Sequence, residues 1–319
     1  MPLNRIARAA WERWERFWFR PTAPHSLALL RIAFGGLALL SHLALWPDLS
    51  LLFGADGPMP LEIAIAQGRA TRLSLLDLAV DPAALRGLMV IGALVHLAWM
   101  LGWKTRWTGP LSALVLVSLH HRNLWFQHGG DRVIRLAVLM LALAPCGATL
   151  SIDAWRRQRR AVRDGAGAAT PLVAAWPLRL FQLQWMIIYG FTGVDKLRGD
   201  NWLDGTALYY ALSDLSFQRF PAWVEPLLQS PWGQAACALL TWLALAWEVA
   251  FAPLVLWAPA RLPLLVAGIG LHLGIAATIS VGSFSFAMVA GYLAFLSPAG
   301  VQRRVDQWLA RALRSARER

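Results

Sequence analysis

The sequence predicts an all-α fold, a polytopic integral membrane helical bundle with about eight transmembrane helices and amphipathic surface helices at both termini. Three observations carry this expectation. Of the 319 residues, 57% are hydrophobic and the mean hydropathy is +0.48, above the roughly 45–50% apolar content of soluble domains. Apolar runs recur from residue 26 to residue 297, with no polar block between them large enough to fold separately. Eighteen tryptophans are present, and Trp46, Trp103, Trp107, Trp125, Trp155, Trp176, Trp202 and Trp257 stand at run ends, where an indole with one polar edge suits the headgroup boundary.

Residues 4–20, NRIARAAWERWERFWFR, put Trp11, Trp14 and Trp18 on one helical stripe and Arg8, Arg13, Glu15 and Arg16 elsewhere. That is the pattern of a basic helix lying on a membrane surface, and residues 1–22 are assigned to it. Apolar runs follow at about 26–46, 83–103, 109–124, 132–150, 173–195, 235–257, 262–280 and 284–297, most of them near the roughly 20 residues that span a bilayer as helix. They define a transmembrane domain over 23–298 with eight crossings expected. The third and last runs are short, which leaves a range of six to nine. Residues 299–319 complete the chain as a basic amphipathic cytoplasmic tail. The first run lacks a small-x-small exit, so a retained anchor is expected and not a cleaved signal.

The net charge of +12 falls on alternate loops and not on one folded face, which marks topology and excludes a nucleic-acid surface. The N-terminal helix, Lys104 and Arg106, Arg156 to Arg163, Arg261 and the tail from Arg303 hold about 19 of the 30 basic residues. These segments are expected in the cytoplasm, with both termini, in a multi-pass protein of the cell (inner) membrane. The opposite loops, about 47–82 and 198–234, carry the turn-rich LFGADGPMP (52–60) and WLDGTALYYALSDL (202–215), the latter expected to form a short helix with Asp204 near its start. DGAGAAT (164–170) is a cytoplasmic link. Cys146 and Cys237 lie in apolar runs and indicate neither a disulfide nor a metal pair.

Ionisable groups inside a bilayer are costly, so each needs a partner or a role. Arg31, Arg135, Glu248 and His272 are the clear cases, with His42 and His96 less deep. Structural alternatives stand beside functional ones: Arg31 snorkels or binds a helix C-terminus, Glu248 pairs with a His or Arg, and His272 is a packed hydrogen-bonder. In HHRNLWFQHGGDRVIRL (120–136), Gly129-Gly130 interrupts helix geometry beside His128 and Asp131, which favours a pocket over an ordinary loop. Adjacent His120 and His121 project about 100° apart on a helix and cannot share an ion, so no metal site is expected. Lys196 stands where the fifth apolar run meets a polar loop. Burial there favours its neutral, basic form, whereas snorkelling to the interface is the structural alternative, and neighbouring Asp195 acts to keep it charged.

Several segments together resemble the HTTM (horizontally transferred transmembrane) domain family, which is related to the membrane part of the vitamin K-dependent gamma-glutamyl carboxylases. They are LRIAFGG (30–36), RNLWFQHGGDRVIRL (122–136), APCGATLSID (144–153), YGFTGVDKLRGDNWLDGTALYY (189–210), WEVAF (247–251) and HLGIAATISVGSFSFAM (272–288). In those carboxylases the lysine of a Gly-Val-x-Lys-Leu element acts as base on vitamin K hydroquinone, whose oxygenation yields a strong base that removes a glutamate gamma proton. The resemblance implies Lys196 as general base and His128 as a hydrogen-bonding partner. It implies Arg31, Asn123, Asp131, Arg135, Asp195, Trp202, Glu248 and His272 as pocket-lining or supporting residues, and a quinone or hydroquinone as the cofactor class. Asp195 departs from the carboxylase pattern, where a second lysine precedes the base, and the short basic C-terminal helix stands in place of a large luminal portion. Carboxylation of protein glutamate is therefore not implied.

Two function classes follow. One is a carboxylase-like or quinol-dependent membrane enzyme with an outward-opening intramembrane pocket for a lipid-soluble small molecule. The other is a non-catalytic accessory membrane protein in the maturation, export or immunity of a secreted peptide. A transporter is disfavoured because no inverted repeat is visible.

Overall fold

The computed structural model describes residues 2–67, 72–79, 81–167 and 169–317. Residues 68–71 and 80 of the first long loop, residue 168 of the 164–170 link and the last two residues of the tail lie outside them. In order, the helices are α1 (Pro2–Phe19), α2 (His25–Ala44), α3 (Leu49–Phe53), α4 (Leu61–Gln67), α5 (Pro82–Met100), α6 (Thr105–Arg122), α7 (Gly129–Ala142), α8 (Ile152–Arg163), α9 (Trp176–Lys196), α10 (Asp200–Leu203), α11 (Ala207–Ser213), α12 (Pro221–Gln229), α13 (Pro231–Leu254), α14 (Ala258–Thr278), α15 (Phe284–Gly291) and α16 (Pro298–Arg317). One antiparallel pairing of two-residue strands, Pro21–Thr22 with Val173–Ala174, is the only ladder among the described residues.

The fold is all-α, and every apolar run of the sequence contains a helix. Among the described residues four segments are long and apolar enough to cross a membrane, His25–Phe53, Pro82–Met100, Pro231–Leu254 and Ala258–Thr278, and a bent pair, Phe284–Phe295 with Pro298–Arg311, makes five if it counts as one span. The protein is therefore a multi-pass membrane protein. The remaining runs form helices that are shorter or more polar. Helix α7 has 14 residues and α15 eight, α6 ends on His120, His121 and Arg122, and α9 carries Arg179, Asp195 and Lys196.

The described residues form two compact units, Met1–Gln127 with Asp131–Phe181 and Leu296–Arg319, and His128–Gly130 with Gln182–Phe295. In the first, Asp81 starts α5 by accepting the N–H groups of Ala83 and Ala84, both at 2.8 Å, with Pro82 at the first helical position. Helices α2 and α5 run antiparallel at close range: a Cβ on Gly35 would lie 3.0 Å from Met100, and one on Gly92 would lie 2.6 Å from the His42 ring. The chain leaves α5 through Gly102 at φ +75°, a conformation that glycine adopts freely; a Cβ there would lie 2.3 Å from Ser151 and 2.7 Å from the Arg31 guanidinium.

Buried arginines hold this unit's loops. Arg31 is fully buried and donates to the carbonyls of Cys146 (2.7 Å) and Leu150 (2.5 Å). Arg122 does the same for Met59 (2.8 Å) and Phe53 (2.9 Å), beside an apolar core of Leu49, Phe53, Leu76, Leu85, Met89 and Leu119. A guanidinium presents several donors in one plane, so a single side chain satisfies two carbonyls that no helix covers. Arg31 thus binds the carbonyls of an irregular stretch, close to the structural alternative read from the sequence.

In the second unit Ser230 caps α13 by accepting the Gly233 N–H at 3.0 Å, with Pro231 following it. Helices α11 to α13 close on Leu212, Val224, Leu228 and Cys237, and the Leu208 N–H donates to Thr241 Oγ1 at 3.1 Å. The expected short helix after Asp204 is α11. Asp204 accepts from the N–H and hydroxyl of Thr206 at 2.9 and 2.6 Å, and these bonds hold its carboxyl below the usual carboxylate range.

Candidate functional site

The second unit gathers its polar groups where α9, α13, α14 and α15 meet. On α9, Tyr189, Gly193 and Lys196 follow at spacings of four and three residues and share one helical face. That face approaches α13 closely. A Cβ on Gly193 would stand 3.2 Å from the Val249 nitrogen and 3.3 Å from the Glu248 carbonyl carbon, and one on Gly190 would meet Ala252 at 3.7 Å. The two helices run antiparallel with Gly193 opposite Glu248 and Val249, which leaves Lys196, about one turn on, within side-chain reach of Glu248.

Lys196 Nζ donates to Glu248 Oε1 at 2.5 Å, and the two side chains are 24% and 12% exposed. The ammonium also lies 4.3 Å from the centroid of the Trp202 ring, a cation–π contact that covers it with an aromatic face. Glu248 Oε2 is buried and accepts no hydrogen bond among the described residues. Sequence reasoning expected Asp195 to oppose neutralisation of the lysine and Glu248 to pair with a His or Arg. The structure pairs Glu248 with Lys196 and not with a His or Arg, while Asp195 is exposed and turned about 100° from its neighbour on the helix.

About two turns earlier on α9, the Tyr189 hydroxyl lies 2.7 Å from His272 Nε2 on α14 and 2.8 Å from the Tyr292 hydroxyl. Aromatic rings enclose this junction. Tyr189 lies 4.9 Å from Trp247 and 4.3 Å from Phe251 between centroids, and Phe284 lies 5.8 Å from His272. Trp247 donates to the Leu264 carbonyl at 2.9 Å, and a Cβ on Gly268 would collide with both Trp247 and Tyr292, at 2.3 and 2.4 Å. His272 Nδ1, like Glu248 Oε2, has no hydrogen-bond partner among the described residues although it is buried. Both atoms keep hydrogen-bonding capacity that a water or a polar guest would satisfy.

His128 belongs to the same unit. Its Nδ1 accepts the Gly130 N–H at 3.0 Å, and its ring fills the space above Gly282, where a Cβ would come within 2.5 Å of Nε2. Arg31, Asn123, Asp131 and Arg135 belong to the first unit. Asn123 donates to the Leu52 carbonyl at 2.8 Å and accepts from the Trp125 N–H at 2.9 Å, Arg135 donates to Gln127 Oε1 at 3.4 Å, and Asp131 is buried in the first turn of α7. Tyr189, Trp247 and Tyr292 were not singled out from the sequence. The seven-residue spacing from Tyr189 to Lys196 was the available signal for one of them.

A family model for the HTTM domain matches residues 73–299. The chain belongs to the HTTM domain family. This HTTM protein is 28% identical over 208 residues to the uncharacterized protein YitO of Bacillus subtilis (strain 168), across 62% of this chain and 63% of the relative. It is 27% identical over 206 residues to the sporulation-delaying protein SdpB of the same organism, across 62% of this chain and 60% of the relative. The match thus spans about three fifths of the length of these curated relatives. No solved structure matches.

Proposed function

We propose that this HTTM protein handles a proton for a lipid-soluble, quinol-like substrate at Lys196, in a pocket that opens to the exterior. It crosses the membrane about eight times, the four long apolar spans being joined by the segments around α6, α7, α9 and α15, with both termini cytoplasmic. The observation that carries the proposal is the Lys196–Glu248 pair, roofed by Trp202, whose second carboxylate oxygen is buried without a partner. Moving one proton from Nζ to the carboxylate turns an ion pair into a neutral amine and a neutral acid. An apolar guest that expels water lowers the cost of that transfer, because a dry site penalises the charged pair. The freed amine then takes a hydroxyl proton from the guest as a general base. His272 and Glu248 form the inner wall, and His128 stabilises charge that develops on the guest.

The test is oxygen consumption by the purified protein in detergent, with reduced menadione as the probe. The expected result is consumption above the protein-free rate that Lys196→Ala abolishes while the protein stays folded. An equal rate in wild type and Lys196→Ala rejects the role.

The alternative is a non-catalytic accessory membrane protein in the maturation, export or immunity of a secreted peptide, with the loops between the spans as its working surface; the likeness to a sporulation-delaying protein is the observation that keeps it beside the enzyme. Neighbouring genes separate the two. A small secreted-peptide gene alongside supports the accessory role, and quinone or redox genes support the enzyme.

A further inference from the structure

We infer that the arginine face of α8 is a headgroup site for anionic phospholipids. The helix begins against the end of a membrane span: the Ile152 N–H donates to the Leu101 carbonyl at 3.2 Å and the Asp153 N–H to the Gly102 carbonyl at 3.0 Å, directly after α5. Asp153 is committed to that corner, accepting from Lys104 N, Thr105 N and Thr105 Oγ1 at 2.8, 2.8 and 2.9 Å. Arg157 is committed to the Ala148 carbonyl at 2.6 Å. What remains is an exposed stripe of Arg156, Arg159, Arg160 and Arg163, residues that fall on one side of a helix by their three- and four-residue spacing. One weak neighbour tempers it, Asp164 at 3.7 Å from Arg163, with both side chains largely exposed.

The stripe has an apolar edge. Trp155 and Val162, seven residues apart, are 52% and 68% exposed, and the Arg159 guanidinium lies 4.5 Å from the centroid of the Trp155 ring. Together they line an open groove of about 630 Å³ with Gln158, Arg160 and Arg163. Four clustered cations attract an anionic phosphate headgroup at the membrane surface, while an indole and a valine on the adjoining edge suit acyl chains at the depth where a span ends. A soluble phosphate would leave that edge in water, so the combination selects a lipid. The inference is independent of the Lys196 site.

The test uses the full-length protein purified in a neutral detergent, with phosphatidylglycerol and phosphatidylcholine added in equal amounts and the bound lipids counted by native mass spectrometry. The expected result is a phosphatidylglycerol preference that falls on the order of tenfold in Arg156→Gln/Arg160→Gln/Arg163→Gln. It should persist in the corresponding triple lysine variant, which keeps the charge and controls for folding. No preference, a preference unchanged by the glutamine substitutions, or a preference lost equally with lysine overturns the inference. So does displacement of the lipid by inorganic phosphate or by RNA at equal charge, since either would show that the apolar edge contributes nothing.

Discussion

Lys196 and Glu248, 52 residues apart in sequence, are brought to 2.5 Å by an antiparallel pairing of α9 and α13 in which a Cβ on Gly193 would come within 3.2 Å of Val249. The ion pair and the glycine contact are one device. The backbone approach sets the distance between the charges, and the charges hold the two helices in register.

Breaking that pair from one side should be more harmful than removing it whole. Glu248→Gln leaves an ammonium facing a neutral amide in an apolar surrounding and is expected to cost about 2–3 kcal/mol, toward the lower end for a pair that is only partly buried. Lys196→Met/Glu248→Leu is expected to recover part of the loss. Thermal unfolding in detergent micelles, followed by tryptophan fluorescence, reads both. Strictly additive single losses would show that the two residues do not act on each other.

The glycines of α9 should rank by the space around them. Gly193→Ala places a methyl group 3.2 Å from Val249 and should cost about 1–3 kcal/mol. Gly190→Ala, with 3.7 Å of clearance, should cost less. Gly270 on α14 has nothing within 4 Å and should gain stability as alanine, because glycine weakens a helix interior by roughly 0.5–1 kcal/mol. The same melting series gives the order, and a Gly193→Ala protein as stable as wild type would contradict the close approach.

Tyr189→Phe removes a hydroxyl with two buried partners, and a loss of about 1–3 kcal/mol is expected because His272 and Tyr292 are left facing each other without it. Tyr292→Phe deletes one end of the chain and should cost less, about 0.5–1.5 kcal/mol. Equal effects would mean that Tyr189 is not the centre of the junction.

Arg31→Met strips the donors from the Cys146 and Leu150 carbonyls. The expected readout is faster labelling of the buried Cys146 thiol by a maleimide, with about 2–4 kcal/mol of destabilisation. Arg31→Lys should rescue little, since a single ammonium cannot reproduce the planar two-point contact. Unchanged labelling would show that the stretch holds itself without the arginine.

The helices were legible because each rests on a local signal. The apolar runs at 26–46, 83–103, 235–257 and 262–280 correspond to spans with little polar interruption, and Asp81-Pro82 and Ser230-Pro231 mark two of their starts. Lys196, Glu248 and His272 stood out for the same reason, as polar groups in apolar surroundings. Their pairing was not legible. Asp195 is the lysine's neighbour in the chain and Glu248 its neighbour in space, and only the depth of the Gly193 contact tells them apart. Tyr189 and Tyr292 were invisible because a tyrosine in an apolar helix reads as another aromatic until its hydroxyl finds a partner on a different helix.

The hydroxyl of Tyr189 carries one hydrogen but touches two polar neighbours. If it gives that hydrogen to His272, it must receive one from Tyr292, and if it gives to Tyr292, the imidazole must supply the other. The tautomer of His272 and the orientation of both phenols therefore flip together. Three side chains store one bit of polarity, written by whatever next touches the far nitrogen of the imidazole.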